Sequence, residues 1–165
     1  MAFRFESPYL DLEIYRLLTI IEASPALAGY DGDEPDKRKL DFLRGWEFLE
    51  ISRIVMSLAA IIRSSLDADP VGGDVYYRNA LDRRVGKLIP NVEKPKEQEI
   101  LDFREACNKV IHAKRVEPET VQTTPGTRAP PLRGRLVLYG DRHGKQWCAE
   151  LDLKEYAFSA LTLNP

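Results

Sequence analysis

The run Ile54-Val-Met-Ser-Leu-Ala-Ala-Ile-Ile62 constrains this chain more than any other stretch, because Ser57 is its single polar side chain. A helix that is apolar nearly all round persists only where protein surrounds it. The run is also too short to cross a bilayer. It therefore predicts the middle of a long helix, from about Pro35 to Leu66, acting as the central strut of a helical bundle. Leu40, Leu43 and Trp46 make the first half of that helix amphipathic, Ala59 and Ala60 allow a neighbour to approach closely, and Gly45 is its weak point.

Three further helices follow from apolar periodicity. Leu10, Ile14, Leu17, Leu18 and Ile21 share one face of a helix over Pro8 to Ala23, which Pro25 is expected to break. Between the first two helices lies an acidic loop with carboxylates at 31, 33, 34 and 36. Their spacing fails a calcium loop, since Pro35 stands where a third ligand belongs. A solvated loop, with Asp33 or Asp36 capping the next helix, is the simpler reading. Asp67 to Asp74 reads as a turn, and its Gly72-Gly73 pair lacks the Gly-Lys-Ser/Thr element of a phosphate loop. A third helix is expected over Val75 to Leu88, with Tyr76, Leu81, Val85 and Leu88 inward and Arg78, Arg83, Arg84 and Lys87 exposed. Pro90 ends it, and Pro95 leads into a fourth over Ile100 to Lys114.

Beyond Lys114 the character changes. Pro118, Pro125, Pro130 and Pro131 leave no room for a helix in the 117–133 stretch. Arg135 to Tyr139 and Gln146 to Leu153 then flank the polar Gly140-Asp-Arg-His-Gly-Lys turn, which predicts a β-hairpin. In its second strand Trp147, Ala149, Leu151 and Leu153 alternate with Cys148, Glu150 and Asp152, so one face is buried and the other wet. Glu119 to Thr123 can add a third strand, and a short final helix begins after Asp152. The expectation is one α+β domain over 1–165, mainly α. It has a four-helix, bundle-like body over 8–114, a proline-rich loop over 117–133, and an antiparallel β-hairpin or meander with the terminal helix over 134–163.

A net charge of −2 makes any nucleic-acid contact a matter of local patches. Two distant cysteines, Cys107 and Cys148, exclude a disulfide framework and a cysteine zinc site, and suit a reducing compartment. With no apolar signal core after Met1, a cytoplasmic protein with no membrane segment is expected.

The candidate site lies on the 100–114 helix. Ile100, Phe103, Cys107, Val110 and Ile111 form its apolar stripe. Beside the stripe run Arg104, Asn108 and His112, four residues apart, in a near-vertical row that drifts about 40° per step. Histidine titrates near neutrality and suits proton transfer, a guanidinium holds phosphate, and an amide can orient either. That set fits metal-independent RNA cleavage, in which a ribose 2′-hydroxyl attacks the adjacent phosphate; no metal or cofactor is implied. The same row also fits a structural role, with His112 at the helix end, Arg104 paired to a carboxylate and Asn108 tying the helix to a neighbour. His143 reads as a turn residue. From Arg128 to Lys145, five cations stand against the single Asp141. Arg133, Arg135, Arg142 and Lys145 are therefore candidate nucleic-acid contacts, with charged protection of a sheet edge as the alternative.

The phrase Asn108-Lys-Val-Ile-His112, late in a helix of a mostly α body, resembles the motif of the HEPN superfamily. These are small helical bundles, many of them ribonucleases of bacterial toxin–antitoxin and phage-defence systems. Their motif is an Arg, often followed by Asn, and then a His four to six residues beyond the Arg. Asn108 and His112 match its second part; Cys107 precedes Asn108, and the nearest upstream Arg is Arg104. The resemblance implies a bacterial protein that binds or cleaves RNA through Arg104, Asn108 and His112, as a homodimer that brings two motifs together. A protein of another class, an antitoxin or adaptor that binds a partner protein and uses the row structurally, is the alternative.

Overall fold

The computed structural model describes residues 8–68, 75–120 and 131–163, apart from the side chains of 68, 75–77 and 120. The Gly72-Gly73 turn, the inward placement of Tyr76 and positions 121–130 of the proline-rich loop lie outside the described residues. The chain is mixed α and β. Its elements run α1 (Pro8–Ala28), α2 (Glu34–Arg44), α3 (Glu47–Ala68), α4 (Val75–Leu81), β1 (Arg84–Ile89), β2 (Glu99–Asp102), α5 (Phe103–His112), β3 (Arg115–Thr120), β4 (Leu132–Arg142), β5 (Lys145–Asp152) and α6 (Leu153–Leu163).

The largest departure from the sequence reading is the sheet. The expected hairpin exists as β4–β5, but it is the middle of a five-stranded sheet in the order β2-β1-β5-β4-β3, with every neighbour antiparallel. β1 and β2 come from segments whose pattern predicts helix. Arg84-Val-Gly-Lys-Leu-Ile89 alternates buried Val85 and Leu88 with exposed Arg84 and Lys87. At that length the pattern satisfies a helix and a bulged strand alike, and pairing to β5 decides for the strand. The β1–β2 pairing carries a bulge between Arg84 and Gly86, and on the side of β5 Gly86 comes so close to Glu150 that a Cβ there would overlap the Glu150 carbonyl. Glu99 to Asp102 joins β1 as an edge strand, so Ile100 leaves the expected apolar stripe and is exposed.

The hairpin turn is tighter than the sequence suggests. His143 and Gly144, with φ of 53° and 77°, form a two-residue connection with both residues left-handed, matching the twist of the strands it joins. Along β5, Trp147, Ala149 and Leu151 are buried and Cys148, Glu150 and Asp152 only partly so; along β4, Leu132, Leu136 and Leu138 are buried. One sheet face is thus covered by helices and the other is open.

α1, α5 and α6 lie on the covered face, and α3 packs chiefly on α1 and α5. The predicted long helix is two helices, broken where Gly45 N–H turns back to Asp41 and Phe42 and Trp46 N–H to Leu43. The buried Arg44 holds this junction at 3.5 Å from both Asp41 and Glu47. Ser24 Oγ donates to Glu47 at 2.7 Å and accepts from the Leu132 N–H at 3.2 Å, joining α1, α3 and β4. α1 itself runs through Pro25 to Ala28, because a proline in the last turn removes only one hydrogen bond.

The core is one cluster that includes Ile14, Leu17, Ile54, Leu58, Phe103, Leu151 and Tyr156. α3 is nevertheless not surrounded on every side. Leu49, Met56 and Ala60 face solvent, as do Phe42, Leu43 and Trp46 at the preceding junction, so the strut is an outer helix with an uncovered apolar side. Among the described residues, no helix is long and apolar enough to cross a membrane.

Candidate functional site

α5 starts at Phe103 because the Asp102 side chain caps it, accepting the Glu105 N–H at 2.7 Å. It ends at Ala113, whose extended backbone leads into β3. Phe103, Ala106, Cys107 and Val110 turn into the core, which leaves Arg104, Asn108 and His112 along the outer flank. Cys107 takes no part in chemistry at that flank: burial pushes its thiol up to about 12, and its Sγ lies 3.7 Å from Tyr156 Oη.

Asn108 is held at both ends of its amide. Its Oδ1 accepts from Arg63 Nη1 on α3 at 2.9 Å, and its Nδ2 donates to Glu105 Oε2 at 3.1 Å. Arg63 is steadied in turn by Asp67 at 3.1 Å. The other Glu105 oxygen pairs with Lys109 Nζ at 3.1 Å, and that ammonium sits 4.5 Å from the centre of the Trp147 ring. Gly140, opposite Trp147 in the β4–β5 register, has no Cβ, and the indole occupies that space. Burial pushes the Glu105 carboxyl up, but Asn108, Lys109 and the Arg142 charge together hold it below the usual carboxylate range. Glu105 therefore stays ionised and acts as the hub of a network from Asp67 to Trp147.

Arg104 and His112 are different. Both are exposed, and neither makes a hydrogen bond or ion pair among the described residues. They stand eight residues apart on the helix, about 12 Å along its axis. One phosphate cannot comfortably engage both, whereas two successive phosphates of a single strand can.

The four basic residues predicted as one surface are divided by the sheet. Arg133 and Arg135 lie on β4 on the open face, with guanidinium nitrogens 3.5 and 3.7 Å from Glu119 on the edge strand β3. Arg142 and Lys145 pair at the tip of the hairpin, where Lys114 at the end of α5 forms an ion pair with Asp141 and its N–H bonds Tyr139 O at 2.8 Å. The hairpin tip is thus tied to the segment that follows α5, and the charge of Arg142 is felt at Glu105, while Arg133 and Arg135 lie on the open face.

Sequence reasoning misses Arg63 and Lys109. Arg63 is the first charge after the apolar run, a signal that marks it as the residue at the rim of that helix's buried face. Lys109 has the sequence pattern of a solvated lysine; only the β5 register, which puts Trp147 beneath it, reveals its burial. Among the described residues no three His, Cys, Asp or Glu side chains converge to hold a metal ion.

The chain matches no known family model, and no curated protein or solved structure is significantly similar to it.

Proposed function

We propose that this is a HEPN-like RNA-binding protein whose contact surface is the outer flank of α5, with Arg104 and His112 engaging successive phosphates of a single strand. What supports the reading is one contrast: Asn108 is fixed at both ends by Arg63 and Glu105, while Arg104 and His112 on either side of it are exposed and unpaired among the described residues. An exposed guanidinium without an intramolecular partner is what a phosphate contact requires, and an exposed imidazole can hydrogen-bond a phosphate beside it.

Metal-independent cleavage is the stronger form of this proposal. The rise of about 12 Å between Arg104 and His112 places charge stabilisation and proton transfer on different phosphates within one chain, so cleavage needs a second copy to bring its own His112 or Arg104 across. Incubating labelled single-stranded RNA with the protein in excess EDTA tests this. Fragmentation by the wild type and none by His112→Ala supports the enzyme; binding without fragmentation leaves the binding protein; neither removes both.

A specific observation favours a protein-interaction role beside it. Phe42, Trp46 and Leu49 are 68%, 56% and 59% exposed on adjoining turns of α2 and α3, continued by Met56. Monomers rarely leave such contiguous apolar side chains in water. We assign this side to protein contact, with a second copy of the chain or with a partner protein.

A further inference from the structure

The open face of the sheet holds a cavity of about 280 Å³ that the α5 flank does not touch. It lies over β1, β5 and β4 at the start of α6, with Arg84, Lys87 and Arg135 on its walls and Glu150, Asp152 and Glu155 among them. Gly86 in its lining lets β1 close on the backbone of Glu150. The charges do not simply neutralise one another. Glu155 is taken by Arg83 at 2.7 Å, and Asp152 Oδ1 caps α6 by accepting the Lys154 and Glu155 N–H groups at 3.1 Å. The side chains of Arg84, Lys87 and Glu150 make no hydrogen bond or ion pair among the described residues, and that of Arg135 has only Glu119 at 3.7 Å.

That pattern restricts the ligand. A cation meets Arg84, Lys87 and Arg135; a polyanion meets the three carboxylates. A ligand with an anionic end and a neutral end rich in hydroxyl donors satisfies both sets, because an ionised carboxylate accepts hydrogen bonds and a guanidinium clamps phosphate. No aromatic side chain lines the cavity among the described residues, so it offers no platform on which a nucleobase could stack. We propose that this cavity binds a sugar phosphate of the ribose phosphate class, the phosphate on Arg84, Lys87 and Arg135 and the sugar hydroxyls on Glu150. Free ribose 5-phosphate and the backbone of RNA present this same chemistry.

The test is calorimetric titration of the full chain with ribose 5-phosphate, inorganic phosphate and ribose. Ribose 5-phosphate should bind at least tenfold more tightly than either fragment. Arg84→Ala/Lys87→Ala should weaken it tenfold or more, and Glu150→Gln should erase its advantage over inorganic phosphate. All three positions are at least partly exposed, and unchanged melting temperatures show that the variants are folded. Competition separates the two sources. Displacement by single-stranded RNA but not by DNA of the same sequence assigns the cavity to the RNA backbone, since only RNA has the 2′-hydroxyl; no displacement by either assigns it to a free sugar phosphate. Ribose 5-phosphate binding no tighter than phosphate, or unaffected by the variants, overturns the proposal. Arg104→Ala/His112→Ala should leave the titration unchanged, so failure at the α5 flank and failure here read differently.

Discussion

Asn108 and Arg104, one turn apart on α5, show how neighbouring polar residues divide into internal support and exposed side chain. Asn108 uses both ends of its amide inside the protein, so its role is to hold α5 against α3. Asn108→Ala should lower stability by about 1 kcal/mol, the usual worth of a partly exposed hydrogen-bonded pair, measured by urea denaturation. Glu105 gives a pH signature. Its carboxyl titrates below the ordinary glutamate range, so its contribution to stability is complete above that range, about pH 4.3, and is lost as pH falls through the lower folded value. Glu105→Gln lacks that contribution. The stability gap between wild type and variant should therefore be widest near neutrality and narrow on acidification below about pH 5, followed by denaturation at a series of pH values. A gap that widens on acidification contradicts the network. Of this site, the Arg104-Asn108-His112 row is legible from the spacing of α5 alone. Arg63 and Lys109 are not, because their roles depend on which helix and which strand come to lie beside α5.

At the scale of elements, most of α1, the short α6 and the two strands of the β4–β5 hairpin follow from the spacing of their apolar residues, although α1 continues through Pro25 to Ala28. β1 and β2 do not. Each is short, and Val85 with Leu88 serves a three-residue helical step as well as a bulged strand; only the pairing of β1 with β5, far along the chain, resolves the choice. The apolar run of α3 predicts a helix surrounded by protein, and the uncovered side at Leu49, Met56 and Ala60 is where this chain alone fails that expectation. The proposed contact with a second copy would meet it. The wild type should sediment above the mass of one chain at tens of micromolar, and Leu49→Lys/Met56→Lys should sediment as a monomer with little change in melting temperature, because both positions are already exposed. A wild type that stays monomeric removes the second-copy form of the interface.

At the scale of the whole molecule, one sheet sets apart the two sides proposed for ligand contact. Helices cover one face and place α5 with the hairpin tip at its margin; the other face is open and carries Arg133, Arg135 and the cavity at the β1 bulge. Arg133, Arg135, Arg142 and Lys145, close in sequence, are therefore not one surface in space, because strand alternation and the hairpin turn send them to different places. The measurement that bears most directly on the account is the salt dependence of single-stranded RNA binding by the wild type and by Arg104→Ala/His112→Ala. If the α5 flank is the binding surface, the variant should bind at least tenfold more weakly at low salt. Its plot of log affinity against log salt should be shallower, by about 0.7 for each phosphate that the variant no longer neutralises, with an unchanged melting temperature. Equal affinity and equal slope in the two proteins would contradict the account.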